Sequence, residues 1–294
     1  MTSDLPTSLL CAAAAALFLT GAVLAAEGDT GVAPAAVAAP PPEAASPAVP
    51  PPKRPDFEGA VGLVFNHSPT YSGAKDNKTS VIPGLFLRWG RVSLSTNGGF
   101  VSRSNDDIER GLNTTLVRSD TVRLGVTLRF DNGRQDSSDP ALVGVHEVRR
   151  TLRARLGARW TPAPGWQLGS ALSVDALGRG GGALVDVGIS REWPLMPRVS
   201  WSLGGGLAWG DARYMRTHFG ITPEDTLTST YALYQPGSGL RDVSLSARIR
   251  FELGPRWIGY AGVATSRTLG PARDSPLTSG SSGKLFNAGL AWRF

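Results

Sequence analysis

The sequence contains almost no cysteine. Cys11 is the only one among 294 residues, and it lies in an N-terminal segment that we predict to be removed. A mature chain without thiols has no disulfide, no cysteine-ligated zinc and no cysteine nucleophile. Histidine is nearly as scarce: only His67, His146 and His218 could serve acid–base chemistry or bind a metal.

Long hydrophobic runs are also absent beyond the N-terminus. Residues 1–26 have an apolar core with small residues before Glu27, a pattern that predicts a cleaved secretory signal peptide rather than a membrane-spanning helix. Residues 27–56 are dominated by Ala and Pro, cannot bury a core, and are predicted to form a disordered linker. From Phe57 to Phe294 no apolar run is long enough to cross a membrane as a helix.

Alternation of apolar and polar residues characterises the rest of the chain. Apolar residues occupy every second position from Val243 to Leu253, and a helix would not place them on one face. The final segment, Phe286–Phe294, alternates in the same way and ends on an aromatic residue two positions after Trp292. Taken singly, such strands fit either a soluble sandwich or a membrane barrel, and many have the ten residues that a tilted strand needs to cross the hydrocarbon.

The connections between the predicted strands alternate between long and short, as in outer-membrane barrels with long extracellular loops and short periplasmic turns. We therefore predict one all-β domain over residues 57–294, a transmembrane antiparallel up-and-down barrel of about 12 strands, or 10 if the short segment 112–117 is not a strand. The predicted strands are Phe57–Asn66, Thr79–Trp89, Arg91–Val101, Leu112–Val117, Val122–Phe130, Leu152–Trp160, Trp166–Ala176, Ala183–Trp193, Val199–Trp209, Val243–Leu253, Trp257–Ser266 and Phe286–Phe294.

Closure and membrane contact follow from this strand assignment. In a closed barrel the last strand must pair with Phe57–Asn66, so that no edge is left open. Aromatic residues near strand ends are expected to form the interfacial girdles. The tryptophans assigned to the girdles are Trp89, Trp160, Trp193, Trp209 and Trp257.

Positive charge is concentrated in the predicted barrel. Five acidic residues but only Lys53 and Arg54 precede Phe57, so a chain of net charge +6 has a barrel of +9. A basic cluster on the polar, lumen-facing phase would favour anions in a pore. Asp175, Asp186 and Glu252 share this phase and could instead pair with arginines and plug the interior. The candidate lumen cluster is Arg91, Arg123, Arg129, Arg153, Arg155, Arg159, Arg248 and Arg250.

No catalytic or nucleic-acid-binding motif is present. The three histidines fall in predicted extracellular loops, where we expect ordinary solvated side chains, and the sequence has no zinc-protease motif, nucleophile elbow or phosphate-binding loop. The arginines are spread over strands rather than gathered with aromatics, which argues against nucleic acid. We expect no enzyme activity, no cofactor and no metal site. Arg213 and Arg216 are loop residues that could meet lipopolysaccharide phosphates.

Several short segments resemble the MipA/OmpV family of outer-membrane proteins. They are Tyr71-Ser72-Gly73, residues 129–144, Phe219-Gly220-Ile221-Thr222, the segment from Tyr234 to Asp242, Ser275-Pro276-Leu277 and the terminal Phe294. The resemblance covers the barrel but not the Ala/Pro-rich segment. It implies an outer-membrane protein of Gram-negative bacteria, and the name-giving member is described as a scaffold joining a murein hydrolase to a murein synthase. Other members are treated as porin-like.

We accordingly predict an exported, non-enzymatic outer-membrane barrel that serves as a scaffold for murein enzymes. The alternative is a porin-like channel for small, preferentially anionic solutes, and a membrane-embedded enzyme is less favoured. Expected partners are outer-membrane lipid and lipopolysaccharide, a murein hydrolase and synthase, and the barrel-assembly machinery. That machinery would read Trp292 and Phe294 as an assembly signal.

Overall fold

The computed structural model describes residues 57–97, 109–135 and 139–294. The predicted signal peptide and linker, residues 1–26 and 27–56, lie outside the described residues. Within the described part the chain forms twelve strands. They are β1 (Phe57–Pro69), β2 (Asn77–Trp89), β3 (Val92–Ser95), β4 (Gly111–Arg118), β5 (Val122–Asp131), β6 (Thr151–Trp160), β7 (Trp166–Asp175), β8 (Ala183–Met196), β9 (Val199–Gly210), β10 (Gly239–Glu252), β11 (Trp257–Thr268) and β12 (Ser282–Arg293).

The strands form a closed antiparallel barrel in which each strand pairs with its neighbours in sequence. The last strand closes the barrel on the first, with a continuous register from Ala60 opposite Arg293 to His67 opposite Phe286. The predicted fold, strand number and closing pair are therefore confirmed, and the ten-strand alternative is wrong because β4 pairs with both β3 and β5.

Most strand boundaries differ from prediction by a few residues, and three of these differences affect the interpretation. The strand predicted from Arg91 to Val101 is described only from Val92 to Ser95, and residues 98–108 lie outside the described part. Strand β1 continues to Pro69, so that His67 is a strand residue rather than a loop residue. Strand β8 runs to Met196 through a register shift after Pro194, because a bulge accommodates a proline that cannot donate to the ladder.

The two faces of the barrel differ in polarity. Apolar residues of the outward phase remain exposed on the isolated chain; Leu63, Leu245 and Val263 are 61%, 62% and 54% exposed. The polar and glycine residues between them point to the lumen. A closed barrel with an exposed apolar exterior and a polar interior is the architecture of a transmembrane barrel, since lipid replaces water around the outward face.

Aromatic residues occur at both ends of the barrel but unequally. Trp89, Trp160, Trp193 and Trp257 lie near the turn ends of β2, β6, β8 and β11, whereas Trp209 lies near the loop end of β9. The turn end, where the terminal residue Phe294 also lies, therefore carries most of the predicted girdle.

The long loops contain the helices of the described residues. These are α1 (Ala212–Phe219) and the single turns α2 (Asp225–Thr228) and α3 (Gly270–Arg273), together with a 3₁₀ turn over Pro140–Leu142. None of these helices is long and apolar enough to span a membrane. All three lie at the loop end of the barrel, because they follow strands that end there.

Candidate functional site: the barrel lumen

The loop half of the lumen is covered by a folded cap, which we define as residues 139–150, 211–238 and 269–281. Helix α1 is its central element and packs against β8, β9, β10 and α3. Asp211 begins the helix by accepting a hydrogen bond from the Tyr214 backbone nitrogen at 2.6 Å. The apolar side of the helix is buried in one cluster, formed by Leu184, Ala208, Tyr214, Met215, Phe219 and Ala272.

A second apolar cluster joins the three segments of the cap. Leu142, Val145, Ile221 and Leu277 are buried in it, and three tyrosines pack around it. Each tyrosine hydroxyl donates to a backbone carbonyl: Tyr71 to Leu277 at 2.8 Å, Tyr231 to Ala141 at 2.9 Å and Tyr234 to Pro271 at 2.8 Å. Burial raises the pKa of Tyr71 and of Tyr234, so both remain neutral donors.

A layer of paired charges lies beneath the cap. Arg153 is 1% exposed; its Nε donates to Asp131 Oδ2 at 2.6 Å and its Nη2 to the Gly181 carbonyl at 2.8 Å. The same Nη2 lies 3.3 Å from His218 Nε2. Arg134 Nη1 donates to the His218 carbonyl at 2.8 Å. The cap is thus attached to the strands by arginine contacts as well as by apolar packing.

Helix α1 contributes an aromatic ring to this layer. The guanidinium carbons of Arg153 and Arg241 lie 5.3 and 5.9 Å from the Tyr214 ring centroid. Arg241 Nη1 also donates to the Tyr214 hydroxyl at 3.0 Å, while its Nε is bonded to Asp242. Two cations therefore share one ring, and each has a hydrogen-bonded partner as well.

The electrostatic environment of His218 keeps its imidazole neutral. Burial, and next the positive charge of Arg153, lower the pKa of His218 to about 3. His146 is placed differently: its Nδ1 lies 2.6 Å from Asp225 Oδ2 and its Nε2 3.2 Å from the Thr217 carbonyl. Burial of Asp225 opposes ionisation, but hydrogen bonds from Thr222 and His146 outweigh burial and lower its pKa.

The turn half of the lumen contains a cavity of about 750 Å³, the turn-side cavity. Its wall is made largely of inward positions with a very short side chain or none. A Cβ atom added at Gly157 or Gly169 would meet its nearest neighbour only at 4.0 or 3.9 Å. The space therefore arises because these positions lack side chains. Other small wall residues are Gly125, Gly188, Gly204, Gly206, Ser190, Ser244 and Ser246.

Arginine dominates the charge of this cavity. Among the described residues two carboxylates line it, Glu109 and Asp186, and both bond to Arg155, Glu109 at 2.8 Å. The cavity extends to the turn residue Arg91, so its most basic part faces the turn end. The lining arginines are Arg88, Arg91, Arg118, Arg123, Arg155 and Arg159.

The structure places the eight arginines of the predicted basic cluster in different parts of the lumen. Arg91, Arg123, Arg155 and Arg159 line the turn-side cavity. Arg248 and Arg250 line an adjoining cavity of about 260 Å³. Arg153 belongs to the charge layer beneath the cap, and the half-buried Arg129 is its register partner on β5.

Two of the three acidic residues expected to pair with these arginines do so. Asp186 bonds to Arg155, and Glu252 lies 3.6 Å from Arg250 and 3.4 Å from Arg293. Asp175 instead accepts hydrogen bonds from the Thr151 hydroxyl and the Gly181 backbone nitrogen.

The predicted assembly residues lie at the barrel seam. Phe294 exchanges two backbone hydrogen bonds with Gly59 of β1, at 3.1 and 3.0 Å. Its ring lies directly over Gly59, where a Cβ would overlap it, and its centroid is 5.4 Å from that of Trp292 and 6.1 Å from that of Phe57. The last two aromatic residues therefore pack together where the first and last strands meet.

The expectation of solvated loop histidines is wrong. His218 and His146 are partly buried in the cap, and His67 bonds to Thr79 Oγ1 at 2.9 Å within the β1–β2 ladder. The loops are folded rather than solvated because they carry enough aromatic and aliphatic side chains to form their own core. Among the described residues no group of three His, Cys, Asp or Glu side chains is arranged to hold a metal ion.

Sequence reasoning missed the cap, although its signal was present. Most of the segments that carry the family resemblance converge there, Phe294 at the turn end being an exception: Ile221 pairs with Tyr234, Ser275 Oγ donates to the Phe219 carbonyl at 2.7 Å, and Tyr71 bonds to Leu277. These motif residues come from separate loops, so their shared function in packing is visible only once the barrel brings the loops together.

A family model described as MltA-interacting protein MipA matches residues 61–294. The chain belongs to the MipA family. The match spans the barrel and the cap, so this MipA-family chain carries its resemblance in both. A comparison with curated proteins gives no match.

Solved outer-membrane proteins share a distant likeness with this MipA-family barrel. The NanC porin has a TM-score of 0.41 at 8% identity, over 78% of this chain and 98% of that one. The KdgM porin has a TM-score of 0.38 at 7% identity, over 80% and 99%. Outer-membrane expressed OmpT of Vibrio cholerae has a TM-score of 0.37 at 8% identity, over 81% and 97%. Likenesses this distant carry no argument about function.

Proposed function

We propose that this MipA-family chain is a non-enzymatic outer-membrane barrel that acts as a scaffold for a murein hydrolase and a murein synthase. The observation that supports a scaffold over an open channel is the cap, whose two apolar clusters and charge layer occupy the loop half of the lumen. The family description adds an interaction with a murein enzyme.

The proposed location is the outer membrane, reached by export through the predicted signal peptide. It is supported by the apolar exterior of the closed barrel and by the aromatic residues near its turn end. Arg213 and Arg216 are exposed on α1 at the loop end, a position suited to contact with lipopolysaccharide phosphates.

The absence of enzyme activity is part of the proposal. Both ring nitrogens of His146 are engaged by Asp225 and Thr217, and His218 is held neutral against Arg153. A general base needs a free nitrogen aimed at a nucleophile or a substrate proton. The arrangement of these two histidines suits cap packing better than proton transfer.

Two measurements on the purified, folded full chain test the scaffold. We expect retention of a purified murein hydrolase of the lytic transglycosylase type on the immobilised barrel, and no single-channel current in planar bilayers. Heat-denatured barrel is the control for retention. Steady ion conduction without hydrolase binding would overturn the proposal.

The second candidate function is passage or binding of small anions, favoured by the arginine-lined turn-side cavity. Clustered guanidinium groups raise the local anion concentration over a range set by ionic strength. If channels are observed, their reversal potential under a salt gradient should indicate anion selectivity, and Arg123→Gln with Arg159→Gln should weaken it. Cation selectivity would exclude this function.

We also propose that Trp292 and Phe294 act as the assembly signal. Their packing at the seam with Gly59 supports this, because deleting Phe294 removes two backbone hydrogen bonds and the ring that covers Gly59. We expect deletion of Phe294 to lower the amount of heat-modifiable, folded barrel in the outer membrane. Phe294→Tyr, which keeps the ring, is the matched control, and normal insertion of the truncated chain would contradict the proposal.

A further inference from the structure

A cluster of tryptophans surrounds one arginine on the outside of the barrel near its turn end. The guanidinium carbon of Arg191 on β8 lies 4.9 Å from the Trp166 ring centroid and 4.8 Å from that of Trp193. Trp193 in turn stacks on Trp201 of β9, with centroids 4.9 Å apart and planes inclined by 23°. We name Trp166, Arg191, Trp193 and Trp201 the tryptophan cradle.

The cradle belongs to the outward phase of the sheet. Val187 and Ile189, four and two residues before Arg191 on the same face of β8, are apolar residues that are 46% and 47% exposed. Glu192, the next residue in the chain, belongs to the opposite phase and lines a lumen cavity. The wall of the barrel therefore separates Arg191 from the nearest carboxylate in sequence.

Arg191 makes no hydrogen bond to another residue of the described ranges. Its contacts in the described part of the chain are the two indole rings, and no carboxylate or other acceptor there contacts its guanidinium. A cation–π contact engages the face of the guanidinium and leaves the N–H groups at its edge able to donate. A planar fork of donors of this kind matches a phosphate group.

The depth of the cradle determines which phosphate it meets. A charged side chain on the lipid face is costly at the bilayer midplane and nearly neutral at the interface, where tryptophan is enriched and long side chains extend toward the head groups. Trp166 begins β7, and Trp193 lies three residues before the end of β8. Arg191 is directly opposite Trp166 in the register. The guanidinium thus lies at the level of the head groups of the turn-side leaflet.

We propose that the tryptophan cradle is a binding site for the phosphate head group of a phospholipid in the turn-side leaflet. Arg191 donates to the phosphate oxygens, Trp166 and Trp193 hold the guanidinium plane, and the neighbouring apolar surface receives the acyl chains. The site lies on the opposite face of the barrel wall from the lumen and does not depend on conduction or on a murein partner.

The test measures lipid adducts on the folded, full-length protein by native mass spectrometry after addition of phosphatidylglycerol or phosphatidylcholine with identical acyl chains. We expect phosphatidylglycerol to be preferred, and Arg191→Gln to reduce its adduct about fivefold, the equivalent of about 1 kcal/mol for one interfacial arginine. Arg191→Lys keeps the charge but not the planar fork, and should give an intermediate loss.

Two controls separate the cradle from a general effect of the girdle. Trp257→Leu removes an outward tryptophan that has no arginine over its ring among the described residues, and should leave the adduct unchanged, whereas Trp166→Leu should reduce it. Heat-modifiable gel mobility checks that each variant is folded. A wild-type adduct level in Arg191→Gln overturns the proposal, as does displacement of the lipid by inorganic phosphate at equal concentration, which would indicate a site for free oxyanions.

Discussion

The loop half and the turn half of the same barrel are built in opposite ways. In the loop half a Cβ at Gly182 would overlap the backbone nitrogen of Tyr214, and Arg153 is buried with three partners. In the turn half Gly157 and Gly169 lie on the wall of a cavity of about 750 Å³, with room for a Cβ at both positions. Twelve strands surround both halves, so strand number alone does not decide whether a lumen is open.

Charge follows the same division. Beneath the cap, arginines are enclosed and contact Asp131, backbone carbonyls and aromatic rings, although Nη1 of Arg153 and Nη2 of Arg134 have no hydrogen-bond partner among the described residues. Among the described residues the turn-side cavity is lined by six arginines and two carboxylates; both carboxylates contact Arg155, and Arg88 pairs with Glu58 at 3.3 Å. We infer that the loop half contributes mainly stability and the turn half mainly an electrostatic field.

The largest effect expected of a single substitution is loss of the buried arginine beneath the cap. Arg153→Met should lower the free energy of unfolding by about 3 kcal/mol, because it leaves Asp131 without its charged partner in a partly buried site. Urea unfolding of the folded barrel, followed by tryptophan fluorescence, measures it. Arg159→Met in the turn-side cavity is the matched control, with an expected change below about 1 kcal/mol. Equal losses would mean that the two halves do not differ in this respect.

The second comparison concerns the room for a Cβ atom at a glycine in each half of the barrel. Gly182 has a φ of +58° and no room for a Cβ, so Gly182→Ala should cost about 2 kcal/mol through strain and displacement of α1. Gly169→Ala, on the cavity wall, should change stability by less than about 0.5 kcal/mol. The same urea titration compares them. A destabilising Gly169→Ala would show that the cavity wall is as tightly constrained as the cap.

The barrel could be predicted from sequence because its determinants are local. Alternation in Phe286–Phe294 and Val243–Leu253 fixes which face each residue takes, and the loop and turn lengths fix the strand order. These signals require no knowledge of distant residues. The closing pair between β1 and β12 followed from the physical requirement that a membrane barrel has no free edge.

The cap could not be predicted in the same way because its core is assembled from loops far apart in sequence. Helix α1 has local signals: Asp211 is its N-cap, and Tyr214, Met215 and Phe219 form its buried side. The residues against which this side packs belong to β8, β9 and α3. The sequence also does not indicate how far along the barrel axis a lumen-facing side chain lies. Arg153 and Arg155 share one strand face, yet one lies beneath the cap and the other lines the cavity.

Lowering the pH should destabilise the loop half before the turn half. The unfolded chain protonates His218 near pH 6.5, whereas the folded chain does so only near pH 3, so the unfolded state binds more protons between these values. Stability should therefore fall with decreasing pH through this window, by up to about 1.4 kcal/mol per pH unit. Arg153, Arg134 and Arg241, the cations near His218, do not titrate there.

Unfolding titrations at a series of pH values between these limits measure the slope. His218→Gln keeps a polar side chain but cannot be charged, and should flatten the slope above the range where Asp131 and Asp225 titrate. An unchanged slope in His218→Gln would assign the pH dependence to other groups and would contradict the proposed environment of His218.

The smallest effect on stability should come from filling the turn-side cavity. Gly157→Leu places an isobutyl group in existing space and should alter the free energy of unfolding by less than about 0.5 kcal/mol.

The access of small reagents to the turn-side cavity should change much more than stability does. Because Cys11 is the only thiol, a Cys11→Ser, Ser246→Cys chain places a single thiol on the cavity wall. An anionic thiol reagent should react with it on the order of tenfold faster than a cationic one, as expected for a field of arginines. Gly157→Leu should slow both reagents. Equal rates for the two reagents, with or without Gly157→Leu, would mean that the cavity has neither the charge nor the opening that distinguishes it from the loop half.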